Sequence, residues 1–137
     1  MATFALGAWI VQILGGAYLW SFTTGVNRPE SNARATRLPR SLLFVHPLLG
    51  VVGLFVWIAF LASDEPVLAW VAFAGLLVGG GIGSFLAFRT FQDRPRGPVG
   101  SPDVRRAEHQ MPVPAIGLHG FLAVVTVLAV LVAALQA

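Results

Sequence analysis

The fold is decided by residues 41–88, SLLFVHPLLGVVGLFVWIAFLASDEPVLAWVAFAGLLVGGGIGSFLAF, where two uncharged stretches flank the segment Asp64-Glu65-Pro66. Each stretch, 41–63 and 67–88, is long enough to cross ~30 Å of hydrocarbon, which takes ~20 helical residues at 1.5 Å each. The acidic segment between them has room only for a turn. The sequence therefore predicts a hairpin of two transmembrane helices.

Two further uncharged stretches, residues 1–27 and 111–137, lie on either side of this hairpin. The first has no basic residue before its apolar part, unlike a signal peptide, so we expect it to be retained. The chain is 56 % hydrophobic and 11 % charged, whereas a soluble domain has roughly 25 % charged residues. The predicted fold is an all-α, integral-membrane, up-down four-helix bundle. It forms one domain over residues 1–137, with spans at about 4–24, 41–63, 67–88 and 112–136.

All nine basic residues are arginines, and they fall in two of the three predicted loops. They are Arg28, Arg34, Arg37, Arg40, Arg89, Arg94, Arg96, Arg105 and Arg106. The positive-inside rule places such loops in the cytoplasm, so we expect a bacterial plasma-membrane protein with both termini outside. The loops are rich in proline and glycine, which predicts irregular connectors. Their arginines interact with anionic lipid, or they recognise a partner or an anionic cofactor group.

The composition also excludes several classes of function. The chain has no cysteine, which rules out disulfides, thiolate catalysis and cysteine-bound metal centres. The spans contain no carboxylate and no lysine, and no set of nucleophile, base and oxyanion donor can be assembled. The arginines set orientation, so no nucleic-acid partner is expected. The sequence favours a protein that is not a catalyst on its own.

Glycine and tryptophan suggest how the helices pack. Gly75, Gly79 and Gly83 lie on one face of the third span, and faces of small residues let helices approach closely in lipid. This face packs against another span, or it makes room for a flat ligand or another subunit. Five aromatic residues fall mostly toward the ends of the spans, as is typical of residues at the membrane interfaces. They are Trp9, Tyr18, Trp20, Trp57 and Trp70.

Two histidines lie within the spans at matching depths. His46 is near the start of the second span and His119 near the start of the fourth, and both spans run in the same direction. The second and fourth helices of an up-down bundle are diagonal neighbours, so the two imidazoles are expected to face each other across the core. Level, facing imidazoles can clamp a metal macrocycle, which predicts a haem b site with both histidines as metal ligands.

The residues around the histidines fit such a site. Gly50 and Gly53 continue the face of His46, where a macrocycle needs room, and Arg40 lies where haem propionates would point. Other interpretations stay open, because a histidine in a span can also bond to a carbonyl of a neighbouring helix, relay protons, contact a quinone or bind another metal. His109 is expected to be a solvated loop residue. Gln12 is expected to form a hydrogen bond between helices.

The two halves of the chain share one plan, an apolar span, an arginine-rich loop and a span with one histidine, which suggests a parallel repeat. The segments VHPLLG at 45–50 and PVPAIGLHG at 112–120 resemble those of small uncharacterised bacterial four-span membrane proteins. The architecture resembles that of membrane b-type cytochromes, which hold haem between histidines of helices two and four. One histidine per helix, instead of two, implies at most one haem.

Two functions follow from this resemblance and from the residues. One is a single-haem, bis-histidine electron-carrying membrane protein or subunit. The other is a non-catalytic accessory or anchor subunit that stabilises a larger membrane complex. The expected partners are the lipid bilayer and either other membrane subunits or further copies of the chain.

Overall fold

The computed structural model describes residues 1–24, 36–92 and 107–137, and every regular element in these ranges is an α-helix. The helices are α1 (Ala2–Thr24), α2 (Arg40–Ser63), α3 (Pro66–Gln92), α4 (Ala107–Gln110) and α5 (Val113–Leu135). Four of them, α1, α2, α3 and α5, are long and apolar enough to cross a membrane by length and composition. The predicted all-α class with four such helices is confirmed.

The turn between α2 and α3 consists of Asp64 and Glu65. Asp64 ends α2 in the left-handed conformation, with φ of 55°, and its N–H donates to the carbonyl of Phe60 at 2.8 Å. Pro66 then begins α3, where its missing N–H is not needed. This short connection makes α2 and α3 antiparallel neighbours.

The four long helices close into a bundle. α1 packs against α2, α2 against α3, α3 against α5, and α5 against α1. α2 and α5 therefore lie on one diagonal, and α1 and α3 lie on the other. We call the end where α2 and α5 begin the arginine end, because it carries Arg37, Arg40 and Arg89.

A buried cluster includes one large side chain from each long helix, namely Trp9, Trp57, Leu76 and Val130. Trp9 and Trp57 are 1 % and 0 % exposed, with ring centroids 6.4 Å apart. Trp9 and Trp57 are therefore core residues rather than surface residues, whereas Trp20 and Trp70 are exposed. The indole N–H groups are satisfied in the interior, since Trp9 donates to the carbonyl of Gly50 at 3.1 Å and Trp57 to that of Ala2 at 3.3 Å.

The arginine end is more helical than the sequence suggests. α3 continues to Gln92, past the predicted end of the span at residue 88, so that Arg89 lies in its last turn. Residues 107–110 form the helical turn α4 rather than an irregular loop, because Ala107 and Met111 are buried and α4 packs against α1. The other predicted loop arginines lie outside the described residues. They are Arg28, Arg34, Arg94, Arg96, Arg105 and Arg106.

Candidate functional site

The structure brings His46 of α2 and His119 of α5 together across the bundle. Their ring centroids are 6.1 Å apart and their planes are nearly perpendicular, at 88°. The two histidines lie at the same depth along the bundle because each follows the first residue of its helix, Arg40 or Val113, by the same number of positions. That distance is about 9 Å of helix at 1.5 Å per residue. The spacing along the chain thus predicts this encounter correctly.

His46 is held by two glycines of α3. Its Nδ1 lies 3.0 Å from the carbonyl oxygen of Gly79, and a Cβ on Gly83 would lie only 2.8 Å from its Cε1. A carbonyl oxygen can only accept, so this contact is a hydrogen bond when Nδ1 carries the proton. In that tautomer Nε2 has a free lone pair. The bond to Gly79 is also the structural bond between helices that the sequence leaves open.

His119 rests on two glycines of α1. A Cβ on Gly16 would lie 3.0 Å from its Cε1, and a Cβ on Gly15 would lie 3.7 Å from its Nδ1. The carbonyl of Gln12 lies near the ring, but no group is in hydrogen-bonding geometry with the buried Nδ1. Nδ1 of His119 therefore has no hydrogen bond.

The surroundings of the two histidines repeat each other. His46 packs on Gly83 and bonds to the carbonyl one helical turn earlier, at Gly79. His119 packs on Gly16 and lies near the carbonyl one turn earlier, at Gln12. Exchanging α1 with α3 and α2 with α5 therefore maps one histidine site onto the other. This correspondence supports the repeat suggested by the plan of the two halves.

Two of the other predicted site residues, Gly50 and Gly53, contact a tryptophan. Gly50 and Gly53 contact Trp9, since Gly50 accepts the indole hydrogen bond and a Cβ on Gly53 would lie 2.8 Å from the Trp9 ring. The room that the sequence assigns to a macrocycle beside Gly53 is thus filled by Trp9. Arg40 begins α2 with an exposed side chain.

Sequence reasoning assigned no part in the site to three residues that shape it, Gly15, Gly16 and Arg89, and it identified Gly83 only as part of the glycine face of the third span. Gly15 and Gly16 bear on His119 and Gly83 bears on His46, so each histidine has its bare surface on a neighbouring helix rather than on its own. The sequence features that could have indicated these bare surfaces are the Gly15-Gly16 pair and the glycine spacing of the third span. Arg89 was assigned to a loop, yet it is half-buried and follows Gly83 by as many residues as separate Arg40 from His46.

The side chain of Gln12 differs from the sequence-based expectation of a hydrogen bond between helices. Its side-chain oxygen Oε1 is buried and has no hydrogen-bond partner. Leaving such a group without a partner costs about 1–3 kcal/mol. The predicted hydrogen bond of Oε1 to another helix is therefore not formed. Its backbone carbonyl lies near His119.

The chemistry open to this site is limited because, in the part of the chain that the structure describes, it offers only two side chains, His46 and His119, that could bind a metal. Among the described residues, no group of three or more histidines and carboxylates could hold a metal ion. Structural zinc takes four protein ligands and catalytic zinc takes three. Two imidazoles that bind one metal from opposite sides, through bonds of about 2.0–2.1 Å, have ring centroids roughly 6 Å apart. The observed 6.1 Å therefore fits a metal whose remaining ligands come from elsewhere, as in a macrocycle.

Comparisons with known proteins assign nothing to this site. No protein-family model, no curated protein and no solved structure matches the chain.

Proposed function

We propose that this chain is an integral membrane protein of the plasma membrane that carries electrons through one b-type haem bound by His46 and His119. The single observation that carries the proposal is the pair of imidazoles, one from each of two diagonal helices, with ring centroids 6.1 Å apart. The architecture resembles that of membrane b-type cytochromes, in which helices two and four hold the haem.

The surface of the bundle supports the membrane part of the proposal. Large apolar side chains point outward along every long helix, for example Leu14, Phe55, Val78 and Leu118. A helix that is apolar on all sides is typical of a large protein core or of a membrane span. The outer surface is apolar and the described arginines, Arg37, Arg40 and Arg89, lie at one end. Lipid is therefore the solvent that best matches the bundle, with the arginine end in the cytoplasm.

The hydrogen bond of His46 supports metal ligation. Histidines that bind metals almost always donate their other ring N–H to a carbonyl, a carboxylate or water, which fixes the tautomer and the ring orientation. The Nδ1 contact of His46 with the Gly79 carbonyl has this form, so Nε2 would be the atom of His46 that binds a metal. The Gln12 carbonyl near His119 offers the same acceptor after a small adjustment of the ring.

Two axial histidines suit electron transfer better than catalysis. Haem iron, when bound, supplies a one-electron redox couple. His46 and His119 would both hold the iron, and an iron held by two histidines would serve electron transfer rather than binding of oxygen or a substrate. Arg40 and Arg89 lie about 9 Å along the helices from the histidine level, toward the arginine end, where they can bind the propionates. Trp9 and Trp57 fill the other half of the core, which agrees with one haem rather than two.

A reduced-minus-oxidised visible spectrum of the detergent-purified protein tests the function. We expect sharp α and Soret bands in the wild type, and their loss in both His46→Ala and His119→Ala, because each variant removes one axial ligand. His109→Ala is the matched control, since His109 lies in α4 and outside the pair, and it should keep both bands. A wild-type protein that stays colourless after expression with ample haem contradicts the proposal.

A second candidate function is an accessory subunit that stabilises a larger membrane complex. It is favoured by bare outward surfaces, since Gly81, Gly117 and Gly120 are exposed and have no atom within 4 Å of where a Cβ would lie. Such surfaces let another helix approach closely in lipid. This function predicts that other chains co-purify with the protein in mild detergent and are lost in Gly117→Leu. A stable, monodisperse monomer contradicts it.

A further inference from the structure

An apolar groove of about 380 Å³ lies between α1 and α5, beside His119. It is lined mainly by Leu14, Gly15 and Tyr18 of α1 and by Ala115, Leu118 and Leu122 of α5. Leu14, Tyr18 and Leu118 are exposed on the outside of the bundle, so the groove opens sideways. In a membrane, this opening faces lipid, and the ring of His119 forms part of its wall.

Gly15 keeps the groove open next to the histidine. A Cβ at this position would lie 3.7 Å from Nδ1 of His119, in van der Waals contact. The repeat relates Gly16 to Gly83, and it therefore relates Gly15 to Ile82. One half of the chain has a glycine beside its histidine, whereas the other half has a branched side chain at the same place. The two flanks of the histidine pair thus differ in how much side chain covers them.

We propose that this groove is the lateral entrance through which a metal macrocycle passes from the lipid to His46 and His119. The inference rests on the proposed haem function. A macrocycle is flat and largely hydrocarbon, which matches a groove with apolar walls that opens to lipid. His119 lies in the wall of the groove, so the first axial ligand is met on the way in. Its Nδ1 has no hydrogen bond, so no such bond restrains the ring while the ligand enters.

Haem uptake by the apo-protein tests this entrance. The wild type, reconstituted without haem in nanodiscs, is mixed with haemin, and the growth of the Soret band is followed in time. We expect Gly15→Ile, which copies Ile82 into the first half, to slow uptake at least tenfold. The initial rate of uptake is the readout, because Gly15 also supports the ring of His119 and its substitution can lower the final haem-to-protein ratio. Gly7→Ile is the matched control, since Gly7 is an exposed glycine of α1 with no atom within 4 Å of its Cβ position.

A second variant keeps the test decisive if Gly15→Ile does not fold. Ala115→Phe narrows the groove from α5 and should slow uptake in the same way. Wild-type uptake rates in the folded groove variants would show that the groove holds only lipid chains, and would overturn the entrance. A wild type that takes up no haem at all would instead overturn the proposed function, so the two failures are distinguishable.

Discussion

At the scale of single residues, Gly83 and His46 show how one missing side chain defines the site. The imidazole edge of His46 occupies the place where a Cβ of residue 83 would stand, at 2.8 Å. Only glycine leaves this room without moving the ring. The hydrogen bond from Nδ1 to the Gly79 carbonyl then fixes the direction in which Nε2 points. The bare surface of α3 is therefore an orienting surface for the histidine.

Gly83→Ala should weaken both the bundle and the site. The added methyl group forces the His46 ring to shift, and overpacking of this kind costs about 1–3 kcal/mol. We expect a lower free energy of unfolding in mixed micelles and a lower haem content. Gly75→Ala is the control, because no atom lies within 4 Å of its Cβ position. Because alanine has a better helix propensity than glycine, Gly75→Ala should leave the free energy of unfolding unchanged or raise it by up to about 1 kcal/mol. Equal effects of the two substitutions would contradict this account.

The predicted position of a residue is correct where it depends only on the distance along the helix. It is wrong where the position depends on which residues of other helices lie beside it. His46 and His119 meet because their offsets from the helix starts are the same. Trp9 lies in the core because Gly53 of another helix accommodates its ring and Gly50 accepts its N–H. The position of a tryptophan within a span does not predict either of these partners, Gly53 or Gly50. The missing partner of Gln12 Oε1 likewise depends on the packing of all the helices.

At the scale of elements, the spans are predictable because the absence of charge marks them, whereas their ends are not. α3 continues through Arg89 to Gln92, since a helix is not obliged to end where its hydrophobic residues end. In its last turn Thr90 donates to the Leu86 carbonyl at 2.9 Å and is buried. α4 forms because Ala107 and Met111 have a surface of the bundle to cover. Such tertiary contacts leave no periodicity in a segment of four residues.

The repeat is also clearer in the helices than in the sequence. The shift along the chain that carries Gly16 onto Gly83 also carries Trp9 onto Leu76. Gly16 and Gly83 each contact a histidine, and Trp9 and Leu76 both belong to the buried cluster. A similar shift carries Trp57 of α2 onto Val130 of α5. Tryptophan corresponds to an aliphatic residue in both cases, so residue identity conceals the relation. What is preserved is the role of each position, whether to fill the core or to leave room for a histidine.

At the scale of the whole molecule, the histidine pair lies near the end of the bundle that carries the arginines. The histidine pair lies about 9 Å from the start of α2, close to the end that carries Arg37, Arg40 and Arg89. The opposite end carries Asp64 and Glu65. If the arginine end is cytoplasmic, a haem between His46 and His119 lies in the inner half of the membrane. Electrons would then exchange more readily with partners on the cytoplasmic side than across the outer half, which Trp9 and Trp57 fill.

The orientation can be measured cleanly because the chain has no cysteine of its own. Ser63→Cys places one thiol beside the acidic turn, and Thr36→Cys places one at the arginine end. Since loops rich in arginine stay in the cytoplasm, a membrane-impermeant maleimide should label Ser63→Cys in intact cells. Thr36→Cys should react only after the membrane is permeabilised. The opposite labelling would place the histidine pair in the outer half of the membrane, and labelling of both variants in intact cells would contradict a single orientation.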